Sequence, residues 1–468
     1  MYSPLLTDFY QITMAYGYWK SGMKDHEAIF QLYFRKLPFG GGFALACGLE
    51  NALEYLEAYR FSPEDLAYLG ELRNPAGEAL FEAGFLEYLS GLRANIRLEA
   101  LEEGLPVFPG EPMLRLSGPL ILGQLLETPL LNLINFQTLV ATKAARICLA
   151  ADGAPVLEFG LRRAQGPDGG LSASRAAYIG GCQASSHVLA GQRYGLPIRG
   201  THAHSWVMSF EEEAEAFAAY AAALSHNVIF LVDTYDTLQG VRHAISEGLR
   251  LRERGYRLGG IRLDSGNLLS LSRQARQLLD EAGLADTAIV ATNDLDEHEI
   301  ARLRAAGAPI DSWGVGTRLV AAWDQPALGG VYKMAALRAP GGPWKPRFKR
   351  SDDPAKASLP GALALFRYGS GGQWLGDCLA EEGEAAPASF RTGDGRIFDA
   401  AGLEAESLLR PVFEGGRRLQ PPADIHALRA RAQDQLRRLP PACLALREPQ
   451  PYPLGLSEAL RRKAASAG

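Results

Sequence analysis

Short apolar runs that break off in polar tips dominate the middle of the chain. VLEFG ends at Gly160, LPIRGT at Thr201, VIFLVDT at Thr234, GGIRLDSG at Gly266, AIVATND at Asp294 and DSWGVGT at Thr317, and each leads into a helical stretch. The last five tips recur roughly every 23 to 33 residues, about the length of one βα unit. The runs are rich in Val, Ile and Leu, as strands buried on both faces of a parallel sheet are. The pattern predicts an α/β fold built on a parallel α/β barrel. In such a barrel the active site forms where the strand C-termini meet. Six converging tips carrying Arg, His, Asp, Asn, Ser and Thr therefore describe an enzyme pocket better than a binding scaffold.

The flanking regions read differently. Residues 1–125 form an N-terminal α+β domain with a β-roll-like segment. Thr7 or Asp8 can cap a helix carrying Tyr10, Ile12, Met14 and Tyr16. HEAIFQLYFRKLPF alternates as a strand, and Gly40 to Gly42 break it. Ala44 to Phe61 and Pro63 to Leu92 read as mainly helical, and residues 95–122 as short β pieces. Residues 126–340 hold the barrel, opening with a long, mostly apolar helix from Glu127 to Ala151. Residues 341–468 form a C-terminal extension with hairpin turns at GSGGQW, EEGEAAP and RTGDGR and an amphipathic helix capped by Asp424. Neither flanking third has a convincing core of its own, so the two are expected to pack together.

Composition narrows the function. The 468 residues include 48 Lys and Arg against 53 Asp and Glu, a net charge of −5. That balance excludes a nucleic-acid or membrane-surface protein held by bulk charge, but leaves room for small anions in a local positive pocket. Five scattered cysteines without a CxxC pair fit a reducing compartment. The N-terminus has no basic region followed by an apolar core, and no apolar run approaches the ~20 residues that span a bilayer. The expected location is the cytoplasm.

Several tips carry candidate chemistry. Arg162 and Arg163 sit together in GLRRAQGPDGGLSAS and suit a phosphate or carboxylate, which Arg binds bidentately; a solvated pair is the alternative. GTHAHSW places His202 and His204 two residues apart, and the spacing does not say which faces the pocket. Without HExxH or a Cys/His set, acid–base or nucleophilic work fits better than a metal, with a structural histidine equally open. Arg262 and Asp264 share one side of a strand. The carboxylate can hold sugar hydroxyls or Mg²⁺ and the guanidinium an anion, or the two can simply pair. Gly314, Gly316 and Thr317 form a glycine-rich turn at the usual phosphate position of late barrel strands. Nine residues are Lys, and four of them, Lys333, Lys345, Lys349 and Lys356, cluster in a basic stretch read as a solvated face or as a lid over polyphosphate. Lys143 interrupts the apolar helix, either snorkelling or serving a phosphate.

Together these stretches resemble the nicotinate phosphoribosyltransferase family. The resemblance rests on PLLTDFYQITMAYGYW, FRKLPFGGGFALACGLE, ETPLLNLINFQTLVATKAAR, EFGLRRAQGPDGG, GTHAHSWVMSF, LVDTYDT, GIRLDSGNL, GVGTRL, LGGVYKM and DPAKASLPG, spread from residue 4 to about 361. ATNDLDE departs from the serine-containing form of that tip. The resemblance implies an irregular α/β barrel beside an N-terminal α/β domain. It also implies ATP-coupled joining of nicotinate to phosphoribosyl pyrophosphate, a step of NAD salvage, with Mg²⁺ or Mn²⁺ and with ATP as co-substrate. His204 would be the phosphorylated histidine, with Asp264 beside the ribose. Tyr10, Thr201 and Arg262 would contact nicotinate. Thr317, Gly316, Gly314, Arg163 and Lys143 would serve the phosphoribosyl pyrophosphate. Family members are dimers with shared sites, so Tyr10 would enter a partner's site. Nicotinamide phosphoribosyltransferase, which shares the fold, and a catalytically silent binding relative are the alternatives.

Overall fold

The structure is a computed structural model describing residues 2–226, 228–348 and 359–467. It divides into two compact units, residues 140–326 on one hand and residues 1–139 with 327–468 on the other.

The unit of residues 140–326 is built on a six-stranded parallel sheet. Its strands are β1 (Val156–Glu158), β2 (Ala184–Ser185), β3 (Val228–Leu231), β4 (Leu258–Leu263), β5 (Ala288–Ala291) and β6 (Ser312–Val315), in the spatial order β2-β1-β6-β5-β4-β3. Phe230, Ile261, Leu263, Ile289, Ala291, Trp313 and Val315 are wholly buried, as continuous apolar strands covered on both faces require. Five predicted runs are strands. LPIRGT is not: it makes only a single parallel bridge, Ile198 to Ser185. Pro197 lacks the N–H that a ladder needs. The strand beside β1 is instead Ala184–Ser185, two residues long.

Helices start just past the tips, and side chains fix where. Asp236 accepts from Gln239 N (2.8 Å) to open Thr237–Glu253. Asn267 accepts from Ser270 N (3.1 Å) to open Leu268–Glu281. Asp296 accepts from His298 N and Glu299 N to open Glu297–Ala305. Each satisfies donors that the first helical turn leaves unpaired. GPDGG opens helix Gly166–Ile179, with Pro167 in the first turn where its missing N–H costs nothing.

The other unit holds two larger sheets. One has seven strands in the order Lys345–Pro346, Gly330–Arg338, Glu27–Phe34, Leu114–Pro119, Arg97–Ala100, Arg410–Glu414, Arg417–Arg418. Glu27–Phe34 lies inside it, so Ala28 to Leu32 are all buried and the expected one-sided alternation is absent. Arg97–Ala100 pairs with Arg410–Glu414, which joins the first and last thirds of the chain by a ladder. Ala44–Phe61 is less helical than its pattern suggests, with Ala44–Leu45 in a strand pair and the helix confined to Leu49–Glu57. The second sheet, of six strands, surrounds a buried Arg367–Asp377 ion pair. Helices Phe9–Lys20 and Ile425–Arg437 lie where the sequence places them. Among the described residues no helix is long and apolar enough to cross a membrane.

Candidate active site

At the C-terminal ends of the parallel strands lies a cavity of about 580 Å³. Arg162 and Arg163 enter it after β1, Thr201 and His204 from the segment before β3, and Arg262 and Asp264 from the end of β4. Asn293 and Asp294 follow β5, Gly314 lies near the end of β6, and Gly316 and Thr317 follow it. Eight of the ten residues given site roles by the resemblance thus share one cavity, Arg163, Thr201, His204, Arg262, Asp264, Gly314, Gly316 and Thr317, and Arg162 and His202 line it too.

The two histidines of GTHAHSW part company at the turn. His202 is 7% exposed, its ring packed edge-on against Tyr220 at 4.8 Å and beside Phe217 and Phe230. Its Nε2 accepts from Leu231 N (3.2 Å), which puts the ring proton on Nδ1, facing Ala203 O. Burial holds its pKa down at about 4, so it is a neutral structural residue. His204 begins the short helix His204–Val207 and is half-exposed. Nδ1 lies 3.2 Å from Thr234 Oγ1 and Nε2 lies 3.6 Å from Asp264 Oδ2. Both ring nitrogens therefore have an orienting neighbour.

Asp264 is itself held at two points. Its backbone N donates to Asp233 Oδ2 (2.8 Å), which also accepts from Ser265 Oγ (2.7 Å), and its Oδ1 accepts from Thr292 Oγ1. Among the described residues no ion pair joins it to Arg262, so the simple salt-bridge reading of RLD fails. Arg262 Nη1 donates to Thr201 Oγ1 (2.6 Å), and its buried Nε has no acceptor among the described residues. Burial lowers the Arg262 pKa, opposed by Asp264 and Asp233, and the guanidinium still carries its proton at neutral pH. A buried cationic donor facing a cavity calls for an anion.

The glycines of GVGT answer to packing. A Cβ on Gly314 would lie 2.5 Å from Thr292 Cγ2 and 2.8 Å from the Phe159 ring. Gly160, at the first tip, would place one 2.2 Å from Val320 Cγ1. Strand end, turn and short helix can approach this closely only without side chains. Asn293 (φ 97°) and Asp294 (φ 45°) sit in the left-handed region. Asp294 is within the tolerance of its residue type, but Asn293 is far from the αL minimum and costs on the order of 1–3 kcal/mol.

The first tip is braced by Glu158, a buried carboxylate accepting from Gly160 N, Ser174 Oγ (2.9 Å) and Ser185 Oγ (2.6 Å). His187 Nδ1 extends that network to Ser174 Oγ (3.1 Å). Two sequence candidates lie elsewhere. Lys143 does not snorkel: it is wholly buried, with Nζ 2.8 Å from Glu297 Oε2, and it is absent from the cavity wall. Its geometry is that of a structural cation. Tyr10 belongs to the other unit, 49% exposed on helix Phe9–Lys20, alongside exposed Phe9 and Met14. Of the lysine cluster, Lys333 and Lys345 lie in strands, while Lys349 and Lys356 fall outside the described residues.

Comparison with known proteins places this geometry. Family models described as the nicotinate phosphoribosyltransferase N-terminal and C-terminal domains match residues 5–135 and 365–464. The nicotinate phosphoribosyltransferase of Bacillus subtilis is 42% identical, covering 97% of this chain and 93% of its own. The human protein of that name is 39% identical, over 98% of this chain and 95% of its own. The chain belongs to the nicotinate phosphoribosyltransferase family. The crystal structure of human nicotinic acid phosphoribosyltransferase matches the fold with a TM-score of 0.87 at 36% identity, over 99% of this chain and all of that one. Nicotinate-nucleotide pyrophosphorylase from Pyrococcus furiosus, at 21% identity and a TM-score of 0.71, shares the fold. The mixed α/β architecture with its parallel sheet is therefore that of the family. Asp233, Thr234 and Thr292 were not singled out from the sequence. All three stand in tips that were, VIFLVDT and AIVATND, and their place at those strand ends was the available signal.

Proposed function

We propose that this chain is a nicotinate phosphoribosyltransferase, forming nicotinate mononucleotide and pyrophosphate from nicotinate and phosphoribosyl pyrophosphate. The observation that carries the reading is Arg262: a buried guanidinium with an unpaired Nε, braced by Thr201 in a cavity of ligand size. Its fork suits the carboxylate of a small aromatic acid. Nicotinamide, the alternative base, would leave the cation uncompensated. With the carboxylate held, the ring nitrogen attacks C1 of the ribose. A C–N bond forms, the C1–O bond breaks, and pyrophosphate leaves with the electron pair. Positive charge building at C1 is stabilised by Asp264 through the ribose hydroxyls, and negative charge on the leaving group by Arg162 and Arg163. Thr317 and the glycine turn receive the 5′-phosphate.

ATP enters as co-substrate by transferring its γ-phosphoryl group to His204, releasing ADP; hydrolysis of that phosphohistidine later returns inorganic phosphate. The half-exposed ring between Thr234 and Asp264 supports this role. Among the described residues no cluster of three or more His, Cys, Asp or Glu could hold a metal alone. Magnesium commonly binds through one or two carboxylates plus substrate phosphates, and Asp264 and Asp294 on the cavity wall fit that mode. It would neutralise pyrophosphate charge. The working form is a cytoplasmic homodimer in which Tyr10 of one copy stacks on nicotinate in the site of the other. The exposed aromatic face of Phe9 and Tyr10 supports it.

The test is direct. The purified protein is incubated with phosphoribosyl pyrophosphate and either nicotinate or nicotinamide, with and without ATP, and pyrophosphate is measured. Release with nicotinate, stimulated by ATP and weak with nicotinamide, is expected. Equal turnover of both bases removes the assignment to nicotinate, and no release with either removes the reading.

A further inference from the structure

Asp296 and Arg318 line no part of the cavity, yet they tie two of its walls together. Asp296 divides its carboxylate. Oδ1 accepts from His298 N (3.0 Å) and Glu299 N (2.8 Å) at the start of a helix, and Oδ2 accepts from Arg318 Nη1. Capping needs only the first oxygen, and an asparagine supplies it equally well. The second oxygen is therefore available for a separate task. Arg318 follows Thr317 directly, and its guanidinium also lies over the Trp323 ring at 5.9 Å. On the other side of the pair, Asn293 and Asp294 precede Asp296 by three and two residues. They hold positive φ and face the cavity, while Leu295 between them and the pair is buried.

Next to Asp296, Glu297 is locked into the core by Lys143 at 2.8 Å and Arg146 at 3.0 Å. The segment after β5 is thus anchored twice in succession, once to the long helix and once to the turn after β6. Strained backbone of the kind seen at Asn293 persists only where its surroundings over-determine it.

We infer that the Asp296–Arg318 ion pair is a positioning couple, fixing the wall made by Asn293, Asp294 and Thr317 in the geometry that receives the phosphoribosyl group. This rests on the functional reading above. Neither residue touches substrate. The pair acts through the turn on either side of it, so its loss is felt by phosphoribosyl pyrophosphate and not by nicotinate, whose ligands Thr201 and Arg262 belong to other tips.

Two variants separate this role from general support of the fold. Asp296→Asn keeps the helix cap and removes the charge; Arg318→Met leaves the cap untouched and removes the partner. Both are assayed with the wild type for the KM of each substrate, for kcat and for Tm. Misplacement of a binding wall by a fraction of an ångström should raise the KM for phosphoribosyl pyrophosphate about tenfold in each variant. The KM for nicotinate stays within about twofold of the wild type. The double variant should be no worse than either single one, because the pair is broken once. An unchanged KM for phosphoribosyl pyrophosphate, equal rises for both substrates, or additive effects in the double variant would overturn the inference. If Asp296→Asn does not fold, Arg318→Met decides alone. A wild type that neither binds nor turns over phosphoribosyl pyrophosphate is a different result: it defeats the functional reading itself.

Discussion

His204 Nε2 and Asp264 Oδ2 face each other across 3.6 Å, while Thr234 Oγ1 meets the other ring nitrogen at 3.2 Å. A phosphoryl group on His204 would bring negative charge close to a fixed carboxylate and into the cavity that Arg162, Arg163 and Arg262 line. Such a charge reorganises its neighbourhood by repulsion and by new hydrogen bonds. Coupling of ATP to transfer then takes the form of an affinity change. His204→Asn should retain the fold and some ATP-independent transfer, and lose both ATP stimulation and the acid-labile, alkali-stable label from γ-labelled ATP. Label persisting on that variant, or appearing on His202, would contradict the assignment.

His202 gives a pH dependence whose direction follows from its burial. Its folded pKa, about 4, lies below the ordinary 6.5, chiefly from loss of solvent. Between these values the unfolded chain binds a proton that the folded chain does not. This contribution to stability is whole above pH 6.5 and is lost as pH falls toward 4. The drop in Tm from about pH 7 to about pH 5 should be larger for the wild type than for His202→Gln. Thermal melts that fall in parallel would mean His202 titrates normally.

Thr317→Val replaces a hydroxyl at the end of β6 by a methyl of similar volume. One hydrogen bond to a charged group contributes roughly 1.5–3 kcal/mol. The KM for phosphoribosyl pyrophosphate should rise about ten- to hundredfold with little change in Tm. Steady-state kinetics that leave this KM unmoved would take Thr317 out of the site.

Sharing of sites between copies has a complementation signature. In the proposed shared-site homodimer, Tyr10→Ala and His204→Asn should each remove ATP-stimulated activity from every site of their own dimer. After mixing and exchange of subunits, half the dimers are mixed and each carries one intact site, so about a quarter of wild-type sites should return. ATP-stimulated activity of the mixture reads this out. No recovery under conditions where exchange is seen by mass would place Tyr10 in its own chain's site, and a Tyr10→Ala variant that keeps its activity would place it outside any.

The tips were legible because chemistry and pattern coincide there: an apolar run must stop where polar groups meet water. What escaped were features settled by distant partners. Pro197 spoils LPIRGT as a strand, while Ala184–Ser185 is too short to show a period yet pairs with β1. GTHAHSW could not rank its histidines, since His202 is claimed by Phe217, Tyr220 and Phe230, which follow it by more than a helical turn. Lys143 read as a snorkelling side chain or a phosphate ligand, because its partner Glu297 stands 154 positions further on. Arg97–Ala100 and Arg410–Glu414 give no local hint of each other, for a ladder between distant segments leaves no mark in either.

Asp236, Asn267 and Asp296 each stand within three residues of a tip. The loops after β3, β4 and β5 are therefore tethered at both ends: behind by a buried strand, ahead by a capped helix. Variation confined to the few positions between tether points leaves the scaffold's own determinants untouched. The layout makes this barrel a ready host for engineered base preference. A library at Arg262 and Asn293 samples new pockets while the caps at Asn267 and Asp296 go on directing the chain into the same helices.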